Sequence, residues 1–284
     1  MKKIIYGSVI VLILCSSCNG NKKKGTNPLT TLSQLIDSTS EVQDSLDYDT
    51  TLAKPKATRS DGTFDDFLYS FANYKKVQLQ RTKFPLLFIN NNRTSRIQKR
   101  FWKFDRLYYS KPYYTMIFDR ESDMTIGQHS NIKKAQFEWI YLKTNKIQEY
   151  NFKRMNGAWI LESINLHDIQ PCDNENFFDF FYKFANDSVF QRSRIHNPIT
   201  YVTNDPDDDF AILTTTMDIS QWMAWNVFLP KDALSNVNYG QSNRSNSNVK
   251  ILSIKGKDNG MSNTLFFRRI GTNWQFYKYE DISN

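Results

Sequence analysis

The sequence predicts an α+β protein made of two tandem copies of one unit, each an N-terminal helix packed on a curved antiparallel sheet. Three observations carry this. The passage "FANYKKVQLQRTKFP" (Phe71 to Pro85) returns 113 residues later as "FANDSVFQRSRIHNP" (Phe184 to Pro198), and over Phe64–Leu86 against Phe177–Ile199 ten of twenty-three positions keep their residue type, too many for composition alone. Aromatic residues at helical spacing open each copy. After Pro85 and Pro198 the texture changes to period-two alternation, the mark of strands.

In chain order, "MKKIIYGSVIVLILCSSC" has two lysines, an apolar run and small residues before Cys18. That is the anatomy of a signal peptide over 1–17, too short in its apolar run for the roughly 20 residues that span a bilayer. Its end resembles the lipobox of bacterial lipoproteins, with Ser17 before an obligatory cysteine; Cys15 stands where a larger aliphatic is usual. The resemblance implies an acylated Cys18 as the first mature residue and a membrane anchor. Of three cysteines this leaves Cys172 alone, which excludes a disulfide framework. The formal charge of +8 is partly in the leader and in Lys22–Lys24, beside the lipid, where it favours anionic headgroups. Outside the cytoplasm nucleic acid is not an expected partner, despite a pI near 9.2.

Residues 18–60 are rich in Ser, Thr, Asp, Lys and Asn and read as the lipidated cysteine followed by a flexible tether, with a short helix near Leu32–Ile36. Its Asp-Ser/Thr triplets resemble O-glycosylation acceptors of some Gram-negative gut anaerobes, which makes Ser38, Ser45 and Thr50 candidate sites.

The expected domains are 61–170 and 173–284. Phe64, Phe67, Leu68 and Phe71, and in the second copy Phe177, Phe180, Phe181 and Phe184, each form one aromatic stripe on a helix. Thr63 and Asn176 stand where N-caps belong, with Asp66 and Asp179 in the first turns. In the first copy "LLFI", "YYTMIF", "QFEWIYLKT", "KIQEYNFKR" and "AWILESI" read as strands, answered by "ITYV", "DFAILTTTM", "VKILSIKG", "NTLFFRRI" and "WQFYKY". Asn156-Gly157 marks a hairpin turn. The offset of 113 also carries Asp119, Ser122, Gly127 and Gln128 onto Asp232, Ser235, Gly240 and Gln241, and an offset of 115 carries Trp159 onto Trp274. With its own helix and its own closing hairpin, neither unit is expected to need strands from the other.

The closing hairpins "FKRMNGAWIL" (Phe152 to Leu161) and "FRRIGTNWQF" (Phe267 to Phe276), with the preceding helices, resemble the nuclear-transport-factor-2-like, or SnoaL-like, cone fold, and the whole chain is similar to lipoproteins of gut anaerobes that carry a domain of unknown function. The resemblance implies two tandem cones over 61–284. It implies no reaction, because that fold hosts dehydratases, isomerases, cyclases and binding domains alike.

No catalytic residue, metal site or cofactor is expected. Cone-fold enzymes place a histidine opposite an aspartate, and His129, His167 and His196 fall on no matching positions of the repeat; His129, after the duplicated Gly127-Gln128, is the best placed. Gln78 with Arg81, and Gln191 with Arg194, recur after the helices. A guanidinium there suits a carboxylate or phosphate ligand, or else backbone carbonyls where helix turns to strand, and recurrence in both copies favours the architectural role. "NDPDDDF" reads as an acidic turn lacking the calcium-loop pattern. "NRTSRIQKRFWKFDR" would line Arg93, Arg96, Arg100, Lys103 and Arg106 along a helix with Trp102 among them, a face suited to phosphate headgroups or acidic polysaccharide.

The function expected is that of an anchored extracytoplasmic lipoprotein with a non-catalytic binding or scaffolding role. It would sit in the outer membrane facing the periplasm, or on the cell surface, with an envelope protein or glycan as partner. The alternatives are an enzyme of hydrolase or isomerase type using one cone as its pocket, and a structural subunit of an envelope complex. Pocket volume and a convergence of His129 on a carboxylate separate the first two.

Overall fold

In both copies the helix forms where the aromatic stripe places it. The computed structural model describes residues 56–128, 131–240 and 247–284. The leader, Cys18, Ser38, Ser45, Thr50, the helix expected near Leu32 and His129 lie outside the described residues.

Helix α1 (Phe64–Asn73) and its counterpart α3 (Phe177–Asn186) start on Thr63 and Asn176. The Thr63 hydroxyl accepts the Asp66 N–H, and the Asn176 side chain accepts the N–H groups of Phe178 and Asp179. Short helices α2 (Lys75–Gln80) and α4 (Ser188–Ser193) follow, each starting one residue beyond its predecessor. The stripes are buried in both copies: Phe71 and Phe184 are each 0% exposed, Trp159 and Trp274 each 1%. Equivalent rings meet in equivalent ways, with Phe64 edge-on to Trp159 at 4.9 Å and Phe177 edge-on to Trp274 at 5.2 Å. Burying each such ring contributes about 2 to 3 kcal/mol, so each helix is fixed to its sheet by its stripe.

The strands of the first half are β1 (Thr82–Asn90), β2 (Arg93–Ile97), β3 (Tyr113–Phe118), β4 (Lys134–Tyr141), β5 (Lys146–Met155) and β6 (Ala158–Asp168). The second half has β7 (Ile195–Asp205), β8 (Asp208–Met217), a short helix α5 (Ile219–Trp225), then β9 (Ala233–Asn238), β10 (Val249–Gly256), β11 (Ser262–Ile270) and β12 (Asn273–Asp281). They form two six-stranded sheets, β2-β1-β6-β5-β4-β9 and β3-β10-β11-β12-β7-β8. Each sheet holds one parallel pair, β1 with β6 and β7 with β12, among antiparallel ones. The purely antiparallel sheet expected is corrected on that point: the chain leaves β1, builds the outer strands, and the closing hairpin returns beside β1 in the same direction.

The expectation that neither half needs strands from the other is also corrected. Strand β3 of the first half is the outer strand of the second sheet, and β9 of the second half is the outer strand of the first. The registers show that β3 and β9 are equivalent: Ile140 faces Leu234 across β4–β9, and Lys255 faces Tyr114 across β10–β3. Their offset is therefore 120 residues, against 115 for the strands that follow, so the offset of 113 drawn through Asp119 and Asp232 does not hold there. All described residues belong to one compact unit, Gln43–Asn284.

The basic segment is not a helix. Asn91, at φ 49°, turns the chain so that β2 pairs back on β1, and Lys99–Phe101 is a short 3-10 turn. Arg93 and Arg96 therefore lie on an edge strand with their side chains in solvent, and no single stripe forms.

Candidate functional site: the seam between the halves

Alternation along β4 and β5 sends successive side chains to opposite faces. Phe137, Trp139 and Tyr150 enter the first aromatic core, while Glu138, Ile140 and Glu149 face the second half. There they line a cavity of about 250 Å³. One wall is the first sheet, with His167 of β6 beside the two glutamates. The opposite wall comes from the second half: Lys250 of β10, Arg269 of β11, Trp274 of β12 and the start of α3 at Asn176. The linker passes its rim, bringing Ile169 and Cys172, whose thiol donates to the Asn174 carbonyl at 2.9 Å.

A row of polar side chains crosses the first sheet in direct register. Asn236 of β9 faces Glu138, Glu138 faces Glu149, and Glu149 faces Asn165. The Asn236 amide donates to Glu138 Oε2 at 2.8 Å, and its carbonyl oxygen accepts the Ile117 N–H of β3 at 2.9 Å. One side chain on the exchanged strand thus ties both exchanged strands to the site. Asn238 Nδ2 lies 3.5 Å from Glu138 Oε1. Glu138 is 5% exposed, and burial pushes its carboxyl above the usual range, with the nearby Glu149 charge adding and the two amides opposing.

His167 Nε2 lies 3.1 Å from Glu149 Oε1, and Nδ1 lies 3.0 Å from the Asp168 carbonyl. With both ring nitrogens facing acceptors the imidazolium is favoured. The Glu149 bond, set against burial, pushes its pKa up to about 8. Across the cavity Lys250 pairs with Asp119, and Arg269 stacks on Trp274 at 4.3 Å while its Nη1 donates to the Glu175 and Thr272 carbonyls. The site therefore sets a buried carboxyl, Glu138, beside an imidazolium–carboxylate pair and presents apolar isoleucines with them.

The side chains singled out from sequence lie elsewhere. Arg81 donates to both Asp61 oxygens, at 3.1 and 2.9 Å, and to the Lys56 carbonyl. Asp61 in turn accepts the Trp159 N–H at 2.9 Å. In the second copy Arg194 grips Glu175 at 3.1 and 3.0 Å, and Glu175 accepts the Trp274 N–H at 2.7 Å. Each arginine clamps a carboxylate to the closing hairpin of its own unit. Gln78 donates to the Phe71 and Asp105 carbonyls and accepts from Trp102 Nε1 at 2.9 Å; Gln191 donates to the Phe184 carbonyl. None of these five side chains lines the cavity. The acidic segment is the β7–β8 turn, with the Asp207 N–H on Asp205, and among the described residues no group of three or more His, Cys, Asp or Glu could hold a metal ion.

Sequence reasoning weighed His167 only by repeat position and did not single out Glu138 or Glu149. A usable signal existed: at the repeat offset of 115 these two glutamates become Ser253 and Thr264, a change of charge inside matching strands.

The family described as "Domain of unknown function (DUF4348)" matches residues 42–281. The chain is similar to a crystal structure of an NTF2-like protein from Bacteroides fragilis, at 48% identity and a TM-score of 0.78, covering 81% of this chain and all of that one. No curated protein matches. With most of its length matched by that family and 81% of it superposing on that structure, the chain belongs to the DUF4348 family and has an NTF2-like fold.

Proposed function

We propose that this protein is an envelope-anchored binding protein, held by a lipid on Cys18 and a tether up to about residue 60, that takes a small ligand into the seam cavity. The observation that carries the binding half is the cavity itself: about 250 Å³, walled by both halves, apolar along its isoleucines and polar at the Glu138–Glu149–His167 end. Such a mixture of apolar lining and a few convergent polar groups is what small-molecule sites have in common. The anchoring half rests on the leader and the residue pattern before Cys18, and the tether's triplets at Ser38, Ser45 and Thr50 fit glycosylation of an extracytoplasmic linker. Periplasmic exposure is the better reading for the anchored protein, since Lys22–Lys24 follow the lipidated residue.

A second reading has its own support. A buried carboxyl with a raised pKa next to an imidazolium–carboxylate pair is the kind of arrangement used in acid–base catalysis, here in the seam and not in a cone.

Two measurements test the proposal. Cys18→Ala should shift the protein from the membrane fraction to the soluble extracytoplasmic fraction; retention in the membrane sinks the anchor. Native mass spectrometry of protein solubilised from its own membranes should show a bound small molecule that Ile147→Trp, which fills the cavity, loses. Wild type and variant with identical, ligand-free spectra sink the binding role.

A further inference from the structure

We propose that the seam cavity is an amine site, in which the ammonium group of a small ligand sits between the Glu138 and Glu149 carboxyls and its apolar stem lies along Ile140, Ile147 and Ile169. This deepens the binding role proposed above and rests on it.

The internal repeat supplies the control. The polar row Asn236–Glu138–Glu149–Asn165 of the first sheet has an equivalent in the second, where β3, β10, β11 and β12 place Met116, Ser253, Thr264 and Glu280 in the same registers. Ser253 and Thr264, at 1% and 3% exposure, fill the central positions without charge. The fold therefore closes without carboxyls there, and the two glutamates are not demanded by architecture. Keeping them costs stability, because like charges directly across an antiparallel pair repel and a buried carboxylate loses its hydration.

The compensation the protein supplies to the two glutamates is unequal. Glu149 has the His167 imidazolium. Glu138 has two neutral amides, from Asn236 and Asn238. The other charged groups on the cavity are Asp119, Lys250 and Arg269 on the opposite wall, where Lys250 is paired with Asp119 and Arg269 Nη1 is bonded to backbone carbonyls while its buried Nε has no hydrogen-bond partner. A cation arriving beside Glu138 meets that carboxyl and the Glu149 carboxyl across the strand pair, and an anion meets the same two groups unfavourably. A ligand ammonium would favour the ionised form of Glu138, which burial alone disfavours.

The experiment compares n-hexylamine, n-hexanol and n-hexanoate, which share a stem and differ in head group, by calorimetry near pH 6.5. Hexylamine should bind at least ten-fold tighter than the other two. Glu138→Gln should weaken hexylamine at least ten-fold and leave hexanol unchanged. A wild-type readout guards against a variant that folds poorly: hexylamine, but not hexanoate, should slow maleimide labelling of Cys172 at the cavity rim. Equal binding of all three probes, preference for hexanoate, or an unaltered Glu138→Gln overturns the amine assignment. If native mass spectrometry still shows a bound molecule in that case, the cavity remains a binding site for another chemistry; if it shows none, both readings fall together.

Discussion

Thr115 and Ser235, 120 residues apart on the two exchanged strands, bind each other's backbone reciprocally. The Thr115 N–H donates to Ser235 Oγ at 2.8 Å and the Ser235 N–H to Thr115 Oγ1 at 2.8 Å; each hydroxyl also donates to the other's carbonyl, at 2.6 and 3.0 Å. They are equivalent positions of the repeat, so this contact lies where the two copies relate to one another. Strands β3 and β9 run side by side as the edges of different sheets, and two side chains replace the ladder that would otherwise join them.

Thr115→Val keeps the shape and removes the hydroxyl, leaving the Ser235 N–H and carbonyl buried without partners. The expected cost is about 2 to 4 kcal/mol in urea unfolding. Ser235→Ala should cost a similar amount, and the double variant clearly less than the two singles added. Additive losses would show that the hydroxyls act independently.

The exchange also predicts what the halves do alone. Residues 56–170 would lack the strand that covers β4, and residues 173–284 the strand that covers β10. Neither should give a folded monomer by circular dichroism and size exclusion, while the two mixed should regain native signal. A monomeric, cooperatively unfolding half would contradict the role given to β3 and β9.

The two arginine clamps should rank by burial. Arg81 and Asp61 are 9% and 1% exposed at their side chains, Arg194 and Glu175 21% and 19%. Burial alone would raise the Asp61 carboxyl, but the Trp159 and Thr58 donors and Arg81 outweigh it and hold it low. Arg81→Met strands that charge and should cost about 3 to 5 kcal/mol. Arg194→Met should cost about 1 to 2 kcal/mol, since solvent screens its partner. The reverse order in urea midpoints would refute the ranking.

His167 gives stability a pH dependence. Its pKa is about 8 in the fold against 6.5 for the free group, so the folded chain holds the proton more tightly. The contribution is fully present below about pH 6.5 and is lost as pH rises through 8. With a third of the side chain exposed, it should amount to about 1 kcal/mol. His167→Gln should flatten the unfolding free energy by that amount between these limits; parallel curves for wild type and variant would rule the pair out as a stabiliser.

The sequence by itself determined the duplication, the two capped helices and the closing hairpins, because each is a local pattern whose burial follows from its own period. Phe71 and Phe184 had to point inward wherever their helices packed. Partners for the repeated arginines were also within reach, since Asp61 and Glu175 lie just upstream of the two stripes. Only the tertiary structure decided the exchange of β3 and β9 and the site that depends on it. "ALSNVN" has no apolar alternation, yet all six of its residues are buried, for the strand is enclosed by β4 on one side and β3 on the other and its polar atoms are bonded across both. Glu138, Glu149, His167 and Asn236 are spread over four strands, and what makes them one site is register across the sheet, a property of pairing between segments that no single segment carries.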